Sequence, residues 1–169
     1  VLQEPFFFAT TIRENLMYGR PEATEDEMIK AAKIANAHHF ISCLPDGYDT
    51  KLTERGMNIS QGERQLLAIT RTVLSDPKIL VLDEATSSID SLTEVKIQEG
   101  LLRLMKDRTS FVIAHRLSTI KNADRILVVH DHRIVEEGTH SELIEAGGFY
   151  HKLYSIQFQK AEVTEEMKI

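Results

Sequence analysis

Residues 79–84 read ILVLDE: four consecutive aliphatic residues are followed by an acidic pair. An uninterrupted apolar run of this length is typical of a strand that is buried on both faces of a sheet. Residues 110–114, SFVIA, form a second such run, and helix signals occupy residues 92–105 between the two. Strands that alternate with helices predict an α/β fold, in which a parallel sheet carries helices on its faces.

Polar side chains stand directly after the predicted strands. They are Asp83 and Glu84 after the first run, His115 after the second, and Gln3 after residues 1–2, which read as the end of another strand. In such sheets, ligands bind outside the carboxyl ends of the strands. The sequence therefore predicts a binding site at this edge of the sheet.

The chemistry of these side chains suits a bound phosphate. An aspartate after such a strand can hold magnesium, and a second carboxylate beside it can orient and deprotonate an attacking water. A histidine there could donate a hydrogen bond to a terminal phosphate oxygen. Taken singly, each residue also has a plainer interpretation: a solvated acidic pair, a histidine satisfied by a loop carbonyl, and a surface glutamine.

Residues 10–75 read as mostly helical, without strong strands. The spacing Ser/Thr-x-x-Glu, which predicts a capping box at the start of a helix, occurs at Thr24, at Ser60 and at Thr139. The first of these helices is expected to run to about residue 39. The second is expected to end at Asp76-Pro77, because the residue before a proline disfavours the helical conformation.

The helix that begins after Ser60 is a second candidate for anion binding. Amide groups and the helix dipole attract anions at such an end, and Gly62 would allow a phosphate to approach the backbone. Capping by Ser60 and Glu63 explains the same residues without a ligand, and Glu63 adds a negative charge. Physical reasoning alone therefore favours simple capping.

The C-terminal third predicts smaller elements. Residues 125–129 and 133–136 read as two strands around a tight turn, so His130-Asp131-His132 is interpreted as part of that turn and not as a metal site. A short helix is expected from about residue 117. The helix after Thr139 is expected to end at Gly147-Gly148, and an amphipathic helix follows.

The composition limits the class of protein. The chain has 169 residues, of which 42% are hydrophobic and 27% charged, as in soluble globular proteins. Its formal charge of −6 argues against a nucleic acid as the main partner. Cys43 is the single cysteine, so a reducing compartment fits. We find no signal peptide and no apolar run near the roughly 18 residues of a membrane span, and the start at Val1 suggests a fragment.

The order of the motifs resembles that of the ABC ATPase family. Five sequences are similar to motifs of the family and follow the family's order. Gln3-Glu4-Pro5 resembles the Q-loop, residues 58–65 (NISQGERQ) the signature motif, and residues 79–85 (ILVLDEA) the Walker B motif. Ser88-Ile89-Asp90 resembles the D-loop, and Ala114-His115-Arg116 resembles the H-switch. The resemblance covers residues 1 to about 159. Residues 11–15 (TIREN), 53–56 (TERG) and 134–140 (IVEEGTH) are typical of the exporter branch.

This resemblance implies a fold and its division. The expected fold is part of a P-loop NTPase (RecA-like) core with a parallel sheet, into which the ABC α-helical subdomain is inserted. Residues 10–75 would form the helical subdomain with the signature motif. Residues 1–9 and about 76–160 would belong to the catalytic core, and residues 161–169 would be a frayed tail.

The resemblance also implies roles in binding ATP and Mg²⁺. Asp83 and Gln3 would hold the magnesium ion, and Gln3 would couple that site to a transmembrane partner. Glu84 would be the general base, and His115 would contact the γ-phosphate.

In this family, two nucleotide-binding domains dimerise head to tail. The signature residues Ser60, Gln61, Gly62 and Glu63 would then reach the ATP held by the opposite subunit, and Ser88 and Asp90 would lie at the dimer seam. Further partners would be the coupling helices of a transmembrane domain, which residues 53–56 would contact.

The chain departs from the family pattern in two places. The usual signature is Leu-Ser-Gly-Gly-Gln, whereas here Gln61 replaces a glycine and Glu63 replaces the glutamine. This suits one half of a heterodimer, and a homodimer also remains open. A P-loop needs Gly-x-x-x-x-Gly-Lys-Ser/Thr, and no glycine of this sequence is followed by lysine. The chain alone is therefore expected neither to bind ATP tightly nor to hydrolyse it.

The expected function is that of an ATP-binding and ATP-hydrolysing domain of an ABC exporter. It would lie at the cytoplasmic face of the cell membrane, anchored through a transmembrane domain absent from this chain, and would drive export of an unknown substrate. One alternative is a soluble ABC ATPase, against which the exporter-type segments argue. The other is a hydrolysis-deficient regulatory dimer partner, against which Glu84 and His115 argue.

Overall fold

A computed structural model describes residues 5–83, 89–113 and 120–156. The chain divides into two compact units, Val1–Ile113 and Ala114–Ile169. The predicted strand at residues 1–2, the start of the predicted helix at residue 117 and the predicted frayed tail lie outside the described residues. No helix of the described part is long and apolar enough to cross a membrane.

The first unit begins with short helices around one longer helix. Its helices before the sheet are α1 (Ile12–Met17), α2 (Glu25–Ile34), α3 (His38–Cys43) and α4 (Gln61–Ser75), with 3-10 turns at Gly47–Asp49 and Glu54–Gly56. The predicted capping boxes at Thr24 and Ser60 are confirmed, and Thr11 forms another with Glu14. The predicted end of α4 is also confirmed, because Asp76 caps it in the left-handed conformation.

The prediction of one helix from Thr24 to about residue 39 is wrong. The helix stops at Ile34, and Asn36 adopts a positive φ of 60°. Asparagine tolerates this conformation better than most residues, and distant partners hold it there. The Asn36 Nδ2 group donates to the carbonyl of Lys96 at 2.9 Å, and Arg103 donates to Asn36 Oδ1 at 2.8 Å.

A parallel strand pair follows the helices. Strand β1 (Ile79–Asp83), helix α5 (Ser91–Met105) and strand β2 (Thr109–Ile113) succeed one another, and β1 pairs with β2 in parallel. This confirms the predicted α/β class with a parallel sheet. The helices and one face of the strand pair enclose a common core, whose fully or almost fully buried members include Leu16, Met28, Ile41, Leu67, Leu80, Ile97 and Leu104.

The prediction that the first strand is buried on both faces is wrong for this chain. Leu80 and Leu82 are buried, but Ile79 is 63% exposed and Val81 is 59% exposed. Phe111 of β2 is exposed to the same extent as Val81, its register partner. Within the described part, the helices cover only one face of the strand pair, so alternate side chains remain in solvent.

In its described residues, the second unit contains helical residues 120–121, an antiparallel hairpin and two further helices. Strands β3 (Ile126–His130) and β4 (Arg133–Gly138) pair around Asp131 and His132, whose φ angles of 47° and 61° are those of a tight hairpin turn. This confirms the predicted turn. Helix α6 (His140–Glu145) begins with the predicted capping box at Thr139, and helix α7 spans residues 149–156.

The Glu136 carboxylate ties this hairpin to α7. It accepts hydrogen bonds from the backbone N–H groups of Phe149 at 2.5 Å and Tyr150 at 2.9 Å. These bonds hold the pKa of Glu136 below its usual value. The buried core residues in the described part of this unit are Val128, Leu143 and Tyr150.

Candidate functional site

Asp83 stands at the carboxyl end of β1, where the ligand-binding edge is predicted. Its register partner on β2 is Ile113, so the two paired strands end at the same level. Gln3, Glu84, Ser88 and His115 lie outside the described residues. Their shared location at this edge therefore stays a prediction.

The donor at this position suits magnesium. Asp83 is half-buried, and a carboxylate oxygen is a hard ligand of the kind that Mg²⁺ prefers. In the described ranges, no group of three or more His, Cys, Asp or Glu side chains could hold a metal ion alone. Carboxylates at magnesium sites commonly act together with water and phosphate oxygens, and the metal role of Asp83 stays a prediction.

The first turn of α4 is closed by a reciprocal pair of hydrogen bonds. The Glu63 N–H donates to Ser60 Oγ at 3.2 Å, and the Ser60 N–H donates to Glu63 Oε2 at 2.8 Å. The capping that physical reasoning favoured is thus confirmed. The backbone N–H groups of Gln61 and Gly62 also lie in the first turn of α4, where N–H groups have no carbonyl partner within the helix. Phosphate binding by Ser60, Gln61, Gly62 and Glu63 stays a prediction.

Gly62 has a packing reason to be glycine. A Cβ atom built on it would overlap Thr93 Cγ2 and would lie 3.2 Å from Ile89 Cγ2. The start of α4 therefore packs so closely against the start of α5 that a Cβ atom at position 62 would force the Thr93 side chain to shift. Thr93 was missed by sequence reasoning, because a contact across 31 positions leaves no signal in one sequence.

Asp90 caps α5. Its Oδ1 atom accepts a hydrogen bond from the Thr93 N–H at 2.9 Å, and this bond is the largest cause that holds the pKa of Asp90 below its usual value. The carboxylate is therefore ionised at neutral pH and lies on the exposed end of the helix. Its place at a dimer seam stays a prediction.

Three aromatic side chains form an exposed group that we name the aromatic patch: Phe6, Phe8 and Tyr18. The Phe8 ring centroid lies 5.1 Å from that of Phe6 and 5.0 Å from that of Tyr18. Tyr18 is 65% exposed, whereas Phe7 is fully buried, so residues 6–8 belong only partly to the core. Tyr18 was missed by sequence reasoning.

Arg71 of α4 holds the segment that bears this patch. Its guanidinium donates to the carbonyls of Phe6 at 3.0 Å and Asn15 at 2.9 Å, and it lies 4.8 Å from the centre of the Phe7 ring. Burial lowers the pKa of Arg71. The arginine remains charged, because its usual pKa is far above neutral.

The segment that precedes the signature is also tied to α4. Arg55 adopts a φ of 58°, and the Asn58 Oδ1 atom accepts from the Thr53 N–H at 2.9 Å. Arg64 donates to the carbonyls of Gly56 at 3.2 Å and Ile59 at 2.8 Å. Residues 53–59 are therefore fixed to the first turns of α4.

A profile described as "ABC transporter" matches residues 1–87, just over half of the 169 residues. The chain belongs to the ABC transporter family. This confirms the family that the order of the motifs indicated.

Several relatives in this family are similar over nearly the whole chain. The uncharacterized ABC transporter ATP-binding protein YfiC of Bacillus subtilis is 58% identical over 160 residues, which are 95% of this chain and 26% of YfiC. A Staphylococcus aureus protein with the provisional name multidrug export ATP-binding/permease protein is 54% identical over 157 residues, which are 93% of this chain and 27% of that protein. The chain thus spans about a quarter of the length of these relatives.

A solved ABC transporter structure shares the fold. The structure of a bacterial Atm1-family ABC exporter with ATP bound matches with a TM-score of 0.83 and 42% sequence identity, over 92% of this chain and 27% of that one. This confirms the fold class, an α/β nucleotide-binding domain of the P-loop NTPase type.

Proposed function

We propose that this chain is part of the ATP-hydrolysing domain of an ABC exporter, which couples ATP hydrolysis to export of a substrate across a membrane. The observation that carries the proposal is the likeness to an exporter with ATP bound, at 42% identity and a TM-score of 0.83. The motifs that would perform the chemistry stand in the family's order along the sequence.

The hydrolytic residues follow β1. Asp83 would hold the Mg²⁺ ion that accompanies ATP, together with Gln3, and Glu84 would accept a proton from the attacking water. His115 would donate a hydrogen bond to the γ-phosphate. The pairing of Asp83 with Ile113 supports this arrangement, because it brings the two strand ends that precede Glu84 and His115 to one edge.

The start of α4 would complete the site of a second nucleotide-binding domain. Ser60, Gln61 and Gly62 would present their amides and the helix dipole to the γ-phosphate of ATP held by that partner, with Ser88 and Asp90 at the seam. The Glu63 carboxylate lies at the same helix end, 2.8 Å from the Ser60 amide nitrogen. Its charge opposes phosphate binding and therefore supports slower hydrolysis at the composite site, which suits one half of a heterodimer, with a homodimer also open.

Two surfaces would contact the coupling helices of a transmembrane domain. One is the aromatic patch, whose exposed rings offer an apolar surface next to the predicted Q-loop. The other is residues 53–56, which are bonded to α4 through Arg64. A movement of a coupling helix would thereby be transmitted to the signature residues. The domain would lie at the cytoplasmic face of the membrane.

We expect the 169-residue chain by itself to show neither tight ATP binding nor ATP turnover. The reason is that no Gly-x-x-x-x-Gly-Lys-Ser/Thr sequence is present to cradle the phosphates. The measurement is phosphate release by the purified chain with ATP and Mg²⁺. Turnover that disappears in the Glu84→Gln variant would refute this expectation, and the variant also serves as the control for a contaminating ATPase.

A further inference from the structure

We infer that Thr93 is a positioning residue that holds the signature segment, defined as residues 59–63, at a fixed spacing from Asp90. The inference rests on the proposed function, because that function places the signature segment at the partner's ATP and Asp90 at the dimer seam. Its structural basis is the packing of α4 on α5 inside the first unit.

Gly62 and Thr93 meet directly. The space that a Cβ atom on Gly62 would need is filled by Thr93 Cγ2, and Ile89 Cγ2 borders the same space. Gly62 is buried. Because both neighbours flank Asp90 in sequence, any displacement of this part of α5 would push on the signature segment through Gly62.

The two turns that meet at this contact are each closed by hydrogen bonds. On α5, the Thr93 N–H and the Glu94 N–H donate to the side chain and the carbonyl of Asp90, both at 2.9 Å. On α4, the capping box joins Ser60 and Glu63. The contact between Gly62 and Thr93 therefore joins two turns that are each closed by hydrogen bonds.

A second attachment keeps α5 aligned with the helical region. A Cβ atom on Gly100 would lie 3.2 Å from the carbonyl oxygen of Ala35. Thr93, Ile97 and Gly100 recur at helical spacing, so they share one face of α5. With contacts at both ends of this face, α5 moves together with α2 and α4, and Asp90 moves with the signature segment.

The test is a double-substitution cycle of Gly62→Ala and Thr93→Ser. The alanine adds the clashing Cβ atom, and the serine removes the methyl group with which it clashes while leaving the backbone bond to Asp90. The cycle is measured in two proteins. One is the 169-residue chain, for thermal unfolding. The other is a YfiC chimera, in which the matched residues of this chain replace the 160 matched residues of YfiC, for ATP hydrolysis.

We expect Gly62→Ala to lower the unfolding midpoint of the chain by about 5 °C, and less than half of that loss to occur in the Thr93→Ser background. In the chimera, we expect Gly62→Ala to lower kcat/KM for ATP by roughly tenfold, and Thr93→Ser to restore it to within about threefold. Ile41→Val, a buried change on α3, is the matched control. It should lower the midpoint while leaving kcat/KM within about twofold.

The outcomes separate the contact, the positioning role and the proposed function. If Gly62→Ala lowers the unfolding midpoint equally in the wild-type and the Thr93→Ser backgrounds, the contact between Gly62 and Thr93 is overturned. Restored stability without restored kcat/KM overturns the positioning role, since alanine would then obstruct the phosphate directly. A wild-type chimera without ATP hydrolysis contradicts the proposed function and removes the positioning role with it, while the unfolding cycle still decides the contact.

Discussion

Glu84→Gln is expected to slow ATP hydrolysis by the YfiC chimera by roughly 10²–10⁴-fold, the usual contribution of a positioned general base. Glutamine has nearly the same shape as glutamate, but it cannot accept a proton from the attacking water. ATP binding should therefore persist while turnover is lost. The measurement is a pair of assays on one preparation: steady-state phosphate release, and equilibrium binding of labelled ATP.

The matched control for this variant is Glu145→Gln. Glu145 is an exposed glutamate at the end of α6, so the same chemical change there should leave both assays unaltered. An unchanged rate of phosphate release in Glu84→Gln would remove Glu84 from the mechanism. Loss of binding together with turnover would instead assign Glu84 to the binding of nucleotide.

Asp83→Asn is expected to lower Mg²⁺-dependent hydrolysis by roughly 10²-fold or more, because a metal ion contributes several kcal/mol of charge stabilisation in such reactions. Asparagine retains an oxygen but loses the negative charge. The half-saturating concentration of Mg²⁺ should therefore rise, and high Mg²⁺ should recover part of the rate. The measurement is a Mg²⁺ titration of phosphate release at saturating ATP.

Asp107→Asn is the control for Asp83→Asn. Asp107 is exposed and has a φ of 61°, a conformation that asparagine also accepts, so this change should leave the titration unaltered. A Mg²⁺ dependence of Asp83→Asn that matches the wild type would exclude Asp83 as a metal ligand.

Local signals predicted much of the fold. The capping boxes at Thr24, Ser60 and Thr139 depend on four consecutive residues, and all three are present. The hairpin turn at residues 131–132 also depends only on its own residues and their neighbours. Such features can be read from one sequence because the partners of each hydrogen bond lie within a few positions.

Long-range contacts account for what the sequence could not predict. The break at Asn36 is held by Lys96 and Arg103, which lie more than 59 positions away. The alternation of burial along β1 depends on which elements pack on each face of the strand. Gly62 illustrates the same limit at the candidate site: its sequence context indicated phosphate approach, whereas its contact with Thr93 depends on the packing of α4 on α5.

The central claim is that this chain holds the hydrolytic residues of an ABC exporter ATPase, and ATP turnover by the YfiC chimera tests it most directly. The chimera takes every residue from Asp83 to His115 from this chain, and everything outside the matched residues from YfiC. We predict Mg²⁺-dependent phosphate release at a rate comparable to that of YfiC itself. A chimera that folds and binds ATP as YfiC does, but releases no phosphate while YfiC does, would contradict the claim.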